Sequence, residues 1–119
     1  MTHPDYLSLN EQEFTSQIRD LARTLQWARY HTWISKHSTA GFPDEVLVRP
    51  PRVIFAELKS ENGKLTPAQR DWLDALALCG TVEVYVWRPS MIDQIAHCLQ
   101  RVGRPRDLGP GAWGLDGTG

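Results

Sequence analysis

Two adjacent prolines, Pro50 and Pro51, separate two apolar runs, Glu45–Val48 and Val53–Leu58. Proline has no N–H to donate to a ladder and its ring fixes φ, so neither residue can lie inside a central strand. Arg49-Pro50-Pro51-Arg52 must therefore be a turn, and the runs beside it are close enough to form an antiparallel hairpin. Val53–Leu58 is the more apolar strand of the two, which places it at the centre of a sheet.

The rest of the chain can be arranged around that hairpin. Asn10 is a good N-cap, and Glu11, Gln12 and Glu13 bring acidic charge to a first helical turn. Phe14, Ile18, Leu21, Ala22 and Leu25 follow at helical spacing, predicting a helix over residues 11–27. The aromatic and β-branched run Trp27–Ile34 reads as a strand. A polar loop, punctuated by Gly41 and Pro43, leads to the hairpin. Downstream, Thr66-Pro67 is a cap followed by proline at the first helical position, and Gly80 ends that helix. Val82–Trp87 is a fourth strand, Pro89 stops it, and Ser90 caps a last helix over 91–102. The strand–helix–strand unit favours a right-handed crossover and a parallel pair.

The expected fold class is therefore α/β, a mixed four-stranded sheet flanked by helices, in the order αβββαβ plus a C-terminal helix. We expect a polar lead-in over 1–9, one domain over 10–102, and a Gly/Pro-rich disordered tail over 103–119. With 119 residues, one domain can bury a real core. The net charge of −1 exerts no overall pull on nucleic acid, so any cationic surface must be local. Cys79 and Cys98 lack zinc-ligand spacing and read as buried thiols of a reducing compartment. No signal segment or membrane span is visible, so the expected location is cytoplasmic.

Strand alternation puts Glu57 and Lys59 on one face with Phe55, while Ile54, Ala56 and Leu58 point to the other. Charges at the end of an apolar strand are costly unless paired or bound to a metal. Asp44 begins the preceding strand, and the hairpin can bring it beside Glu57. Two carboxylates, a backbone carbonyl and waters suit Mg²⁺, an oxygen-seeking ion that keeps several waters. Lys59 can hold an attacking water or stabilise developing negative charge. A lone Glu-x-Lys is usually an ordinary solvated pair. Here it follows Gly-x-Pro-Asp and a hairpin, in the right order.

At these residues the chain resembles a known family. Gly41-Phe42-Pro43-Asp44, Ala56-Glu57-Leu58-Lys59 and the run Gly63–Leu73 (GKLTPAQRDWL) are similar to the VRR-NUC group of the PD-(D/E)XK nuclease superfamily. The likeness spans about Glu11 to Leu99, and the length is similar to that of small stand-alone, often phage-borne members. It implies a restriction-endonuclease-like core and Mg²⁺- or Mn²⁺-dependent hydrolysis of DNA phosphodiesters, with a bacterial or phage-infected host cell as the setting. A preference for branched DNA such as Holliday junctions is implied by the resemblance alone. Carried onto matching positions, Asp44 and Glu57 are metal ligands with the Leu58 backbone carbonyl, Lys59 is the catalytic lysine, and Gln69 lies near the centre.

The superfamily often adds a glutamate from the first helix. Glu11 lies near the Phe14/Ile18/Leu21 stripe, whereas Glu13 is turned away, so Glu11 is the choice here. In the nuclease reading His31, Ser35, Lys36 and Ser38 stand at the mouth of the site and contact phosphates, as do Lys64 and Arg70; His37 reads as a loop residue. Trp27, Trp33, Trp72 and Trp87 read as core rather than as base-stacking platforms. DNA is the expected partner, with a two-fold homodimer cutting two strands and no membrane. The competing reading is a non-catalytic DNA-binding or assembly module that retains the fold. Such a module should have lost one of Asp44, Glu57 and Lys59, yet all three are present.

Overall fold

Asn10 and Glu13 close a reciprocal cap at the start of the first helix. The Glu13 N–H donates to Asn10 Oδ1 at 2.8 Å, and the Asn10 N–H donates to Glu13 Oε1 at 2.9 Å. The computed structural model describes residues 10–32 and 39–103. Helix α1 runs Glu11–Thr24 and buries Phe14, Ile18 and Ala22. It ends short of the expected boundary because Gln26 takes a positive φ of 69° and turns the chain back. Strand β1 (Ala28–His31) follows, then β2 (Glu45–Arg49) and β3 (Arg52–Leu58). Helix α2 (Pro67–Ala77) leads to β4 (Glu83–Trp87), a single 3₁₀ turn (Pro89–Met91) and α3 (Ile92–Gln100).

The strands lie in the order β1-β2-β3-β4. The first two pairings are antiparallel and β3–β4 is parallel, as the crossover requires. Strand β3 is thus central and its two faces are covered by different layers. Ile54, Ala56 and Leu58 pack with Phe14 and Ile18 of α1 and with Ile95 and Leu99 of α3. Leu73 and Ala77 of α2 pack on Val84 and Val86 from the opposite face. The result is a mixed sheet between helices, compatible with a restriction-endonuclease-like core. Among the described residues no helix is long and apolar enough to cross a membrane.

The structure corrects several expectations. Arg52 is not in the turn. It opens β3 fully buried, with Nε and Nη2 donating to the Glu83 carboxylate at 2.6 and 2.7 Å. The Tyr85 hydroxyl also donates to Glu83, and Arg52 Nη1 donates to the Cys98 and Arg101 carbonyls at the end of α3. A paired and fully hydrogen-bonded charge can stay buried. Ser90 does not cap α3, because its N–H and hydroxyl both donate to the Glu61 carboxylate. Cys98 is buried as expected, but Cys79 is exposed, since it lies past the C-cap Leu78 of α2. Trp27 and Trp87 are in the core, and Trp72 is half-buried, edge-on to Phe42. Trp33 and Trp113, together with the expected lead-in and most of the tail, lie outside the described residues.

Candidate active site

One end of the sheet gathers the end of β1, the start of β2 and the end of β3, together with the Gly41–Pro43 loop and the first turn of α2. Asp44 is fixed there from two sides. Its carbonyl accepts the Thr32 N–H at 2.8 Å, while the Thr32 hydroxyl donates to the Pro43 carbonyl at 2.6 Å. Its side-chain Oδ2 accepts the Leu58 N–H at 3.0 Å. Asp44 is therefore tied to β1 through its backbone and to β3 through its carboxylate.

That second bond also orients the Leu58 carbonyl. The Lys59 N–H donates to Trp87 of β4 at 2.9 Å, so Lys59 turns its backbone groups toward β4. Backbone groups alternate edges along a strand, and a residue's N–H and C=O share an edge. Leu58 accordingly turns its carbonyl to the side on which Asp44 lies.

Glu57 is 3% exposed and points to the α2 face, as alternation predicts. Its Oε2 accepts Gln69 Nε2 at 2.9 Å. Among the described residues its Oε1 is buried and meets no N–H donor, while the Asp44 carboxyl stands close enough to share a proton with Glu57. Burial, then the nearby Asp44 charge, pushes the Glu57 carboxyl up to about 8, with Lys59 pulling the other way. Burial also raises the Asp44 carboxyl above its ordinary range, against the opposing Leu58 N–H. Two buried carboxyls this close resist ionising together, and a proton shared between them, or a cation, relieves their repulsion.

Gln69 serves two purposes at once. Its Oε1 accepts the Thr66 N–H at 2.9 Å and its own N–H donates to Thr66 Oγ1 at 3.1 Å, completing the α2 cap. The other end of the same amide orients Glu57. Gly41 packs against this turn with φ +85°, and a Cβ there would stand 2.5 Å from the Ala68 carbonyl carbon. The Gly-Phe-Pro-Asp loop and the Thr-Pro-Ala-Gln turn are thus in direct contact. Phe42 reinforces it, edge-on to Trp72 at 5.0 Å and to Phe55 at 6.1 Å between ring centroids.

The remaining candidates fall into two hollows. Glu11, Gln12, Thr15, His31, Thr32 and Asp44 line a cleft of about 350 Å³. Glu11 is therefore on the Asp44 cleft, while Glu13 is occupied with the cap of α1. Lys64 and Arg70 line a different hollow of about 420 Å³, together with Arg88. The structure does not bring these two into the cleft of Asp44. Ser35, Lys36, His37 and Ser38 lie outside the described residues. Sequence reasoning passed over Glu45, a fully buried carboxylate that binds Arg29 and His31. The sequence holds no signal for it, because its pairing with His31 is set by the β1–β2 register.

Among known families, the VRR-NUC domain matches residues 6–90 of the 119. The chain belongs to the VRR-NUC family. No curated protein and no solved structure matches it. As a VRR-NUC protein it carries a nuclease domain, for which DNA is the implied substrate; nucleases of this type typically use a divalent metal ion.

The donor set of this VRR-NUC domain fits such an ion. Among the described residues no three His, Cys, Asp or Glu side chains cluster as a closed metal cage. Two carboxylates and a carbonyl form an open set instead, suited to a hard cation that retains waters. The buried Glu57 Oε1, which meets no N–H donor, is the observation in its favour.

Proposed function

We propose that this protein is a divalent-metal-dependent endonuclease that hydrolyses DNA phosphodiesters, with Mg²⁺ or Mn²⁺ as the cofactor. The observation that carries the reading is the buried, neighbouring pair of carboxyls, Asp44 and Glu57. Both carboxyls are raised by burial, and Glu57 keeps one buried oxygen without an N–H donor. Asp44, Glu57 and the Leu58 carbonyl would hold the ion. When bound, it polarises the phosphate and makes a water more acidic.

The chain's own groups do the rest. Gln69 keeps Glu57 in a fixed rotamer, and the Leu58 N–H does the same for Asp44. Lys59 follows the last residue of β3, its N–H still bonded to β4, and its charge is near enough to Glu57 to favour the ionised carboxylate. Its ammonium holds the attacking water or balances the charge that gathers on the phosphoryl oxygens. A P–O bond forms to the water oxygen as that water gives up a proton, the ester P–O bond breaks, and the departing oxygen takes up a proton, so one water is consumed for each bond cut. Glu11 faces the same cleft and adds a further carboxylate near the centre.

Branched or otherwise structured DNA, Holliday junctions included, is the substrate class we propose, cut by a two-fold homodimer. The test is a panel of linear duplex, single-stranded and four-way-junction DNA with Mg²⁺, Mn²⁺ or EDTA, alongside the solution mass by light scattering. We expect cleavage with either metal, none in EDTA, the junction cut fastest, and the mass of a dimer. Equal rates on all three DNAs would remove the branch preference, and a monomer mass would remove the dimer. The second reading, a binding module without catalysis, predicts junction binding and no cut product under any condition.

A further inference from the structure

Strands β1 and β2 reach the site together, and their last cross-strand pair is His31 opposite Glu45. Glu45 immediately follows Asp44, yet its side chain is fully buried. A buried carboxylate requires pairing and hydrogen bonds. Arg29 supplies both, Nε to Oε1 at 2.6 Å and Nη2 to Oε2 at 2.9 Å, in the two-armed geometry favoured by guanidinium. Neutralisation is complete at that point. His31 makes a further contact, its Nδ1 lying 2.7 Å from the same Oε2.

An ionised carboxylate only accepts hydrogen bonds, so Nδ1 carries the hydrogen of that contact. The ring nitrogen that remains, Nε2, is on the side away from Glu45. The His31 side chain is 40% exposed and lines the cleft that holds Asp44 and Glu11. A carboxylate that fixes one imidazole nitrogen and leaves the other for a ligand is a recurring way of holding a histidine in one orientation. The cleft's charged groups besides His31 are the carboxylates Glu11 and Asp44, which repel a phosphate, while Gln12 and Thr15 line it as neutral polar groups. Thr32 offers little help, because its hydroxyl is already donated to Pro43. A phosphate oxygen only accepts hydrogen bonds, so His31 meets one as the doubly protonated imidazolium, with Nδ1–H on Glu45 and Nε2–H toward the phosphate.

We infer that Glu45 is a positioning residue that holds His31 with Nε2 toward the Asp44 cleft, where His31 contacts a backbone phosphate of the DNA strand being cut. This inference rests on the nuclease reading and extends it to a pair outside the metal-binding carboxylates. The alternative is that Arg29, Glu45 and His31 simply pin β1 to β2.

The experiment measures binding of a fluorescent four-way junction by anisotropy in EDTA, cleavage kinetics in Mg²⁺, and melting temperature. The variants are His31→Ala, Glu45→Gln and the double substitution. His31→Ala should weaken junction binding about tenfold and raise KM with a smaller effect on kcat. Glu45→Gln should weaken binding several-fold in the parent and not further in the His31→Ala background. A purely structural pair predicts the opposite: lowered melting temperature with unchanged affinity. His31→Ala binding and cutting like the parent overturns the inference, even if Glu45→Gln fails to fold. So does an equal loss from Glu45→Gln in both backgrounds. If the parent cuts and only the His31 and Glu45 results fail, the nuclease reading stands. A parent that neither binds nor cuts DNA removes both.

Discussion

Glu57 carries the largest displacement among the carboxyls of the site, and its sign makes a test at the scale of one residue. Its folded value of about 8 exceeds the ordinary 4.5, so the metal-free folded state holds this proton more tightly than the unfolded chain. The resulting stabilisation is complete below the ordinary value and is lost as pH rises through about 8. In EDTA the parent should lose a few kcal/mol of stability between about pH 5 and about pH 9 from this group, and Glu57→Gln should flatten that loss. Thermal melts of both proteins across the range read the effect directly. A Gln variant as pH-sensitive as the parent would mean that Glu57 is ionised in the metal-free fold. Periodicity alone placed this residue: alternation along β3 put Glu57 and Lys59 on one face, and Glu57 does point to the α2 face. The buried charges Glu45, Arg52 and Glu83, and the half-buried Arg29, were not legible in the same way. A single sequence gives charged residues a wet default, and their partners are set by tertiary contacts; Arg52 and Glu83 lie 31 positions apart.

At the scale of elements, the site depends on a loop and a helix start pressed together. Gly41 has a positive φ, and any side chain there would strike the Ala68 backbone. Gly41→Ala should cost about 2–5 kcal/mol, combining left-handed backbone strain with overpacking. It should also reduce cleavage beyond what the lost stability explains, because the loop carries Asp44 and the helix turn carries Gln69. Urea unfolding and single-turnover cleavage at a temperature where both proteins are folded separate the two effects. An Ala variant of parental stability would contradict the close packing. The family resemblance named these two segments together, and the contact gives the physical reason. The hairpin at Pro50-Pro51 was equally legible, because proline chemistry leaves few alternatives. Capping of α3 by Ser90 was misread because a local capping signal competed with a distant carboxylate, Glu61, which took both donors.

For the whole molecule, the sheet divides its two ends between different tasks. One end buries the Arg52–Glu83 pair against the C-terminus of α3, where Trp27 and Arg49 also donate to main-chain carbonyls. Both guanidiniums, Arg49 and Arg52, lie over the Trp27 ring at 4.7 and 4.9 Å. The other end concentrates carboxylates and leaves them incompletely satisfied. A chain of net charge −1 has little general attraction for DNA, so the proposed recognition relies on local donors. The order of elements and the mixed sheet followed from hydrophobic pattern and turn chemistry. Which basic residues share the Asp44 cleft did not, since Lys64 and Arg70 line a separate hollow.

The central claim is that Asp44, Glu57 and Lys59 form one DNA-cleaving centre. Its most direct test is single-turnover cleavage of a labelled DNA junction in Mg²⁺ by the parent, Asp44→Asn and Lys59→Ala, each verified as folded by its melting profile. The parent should cut, and each variant should be slower by at least about a hundredfold. Parental rates in both folded variants would contradict the account.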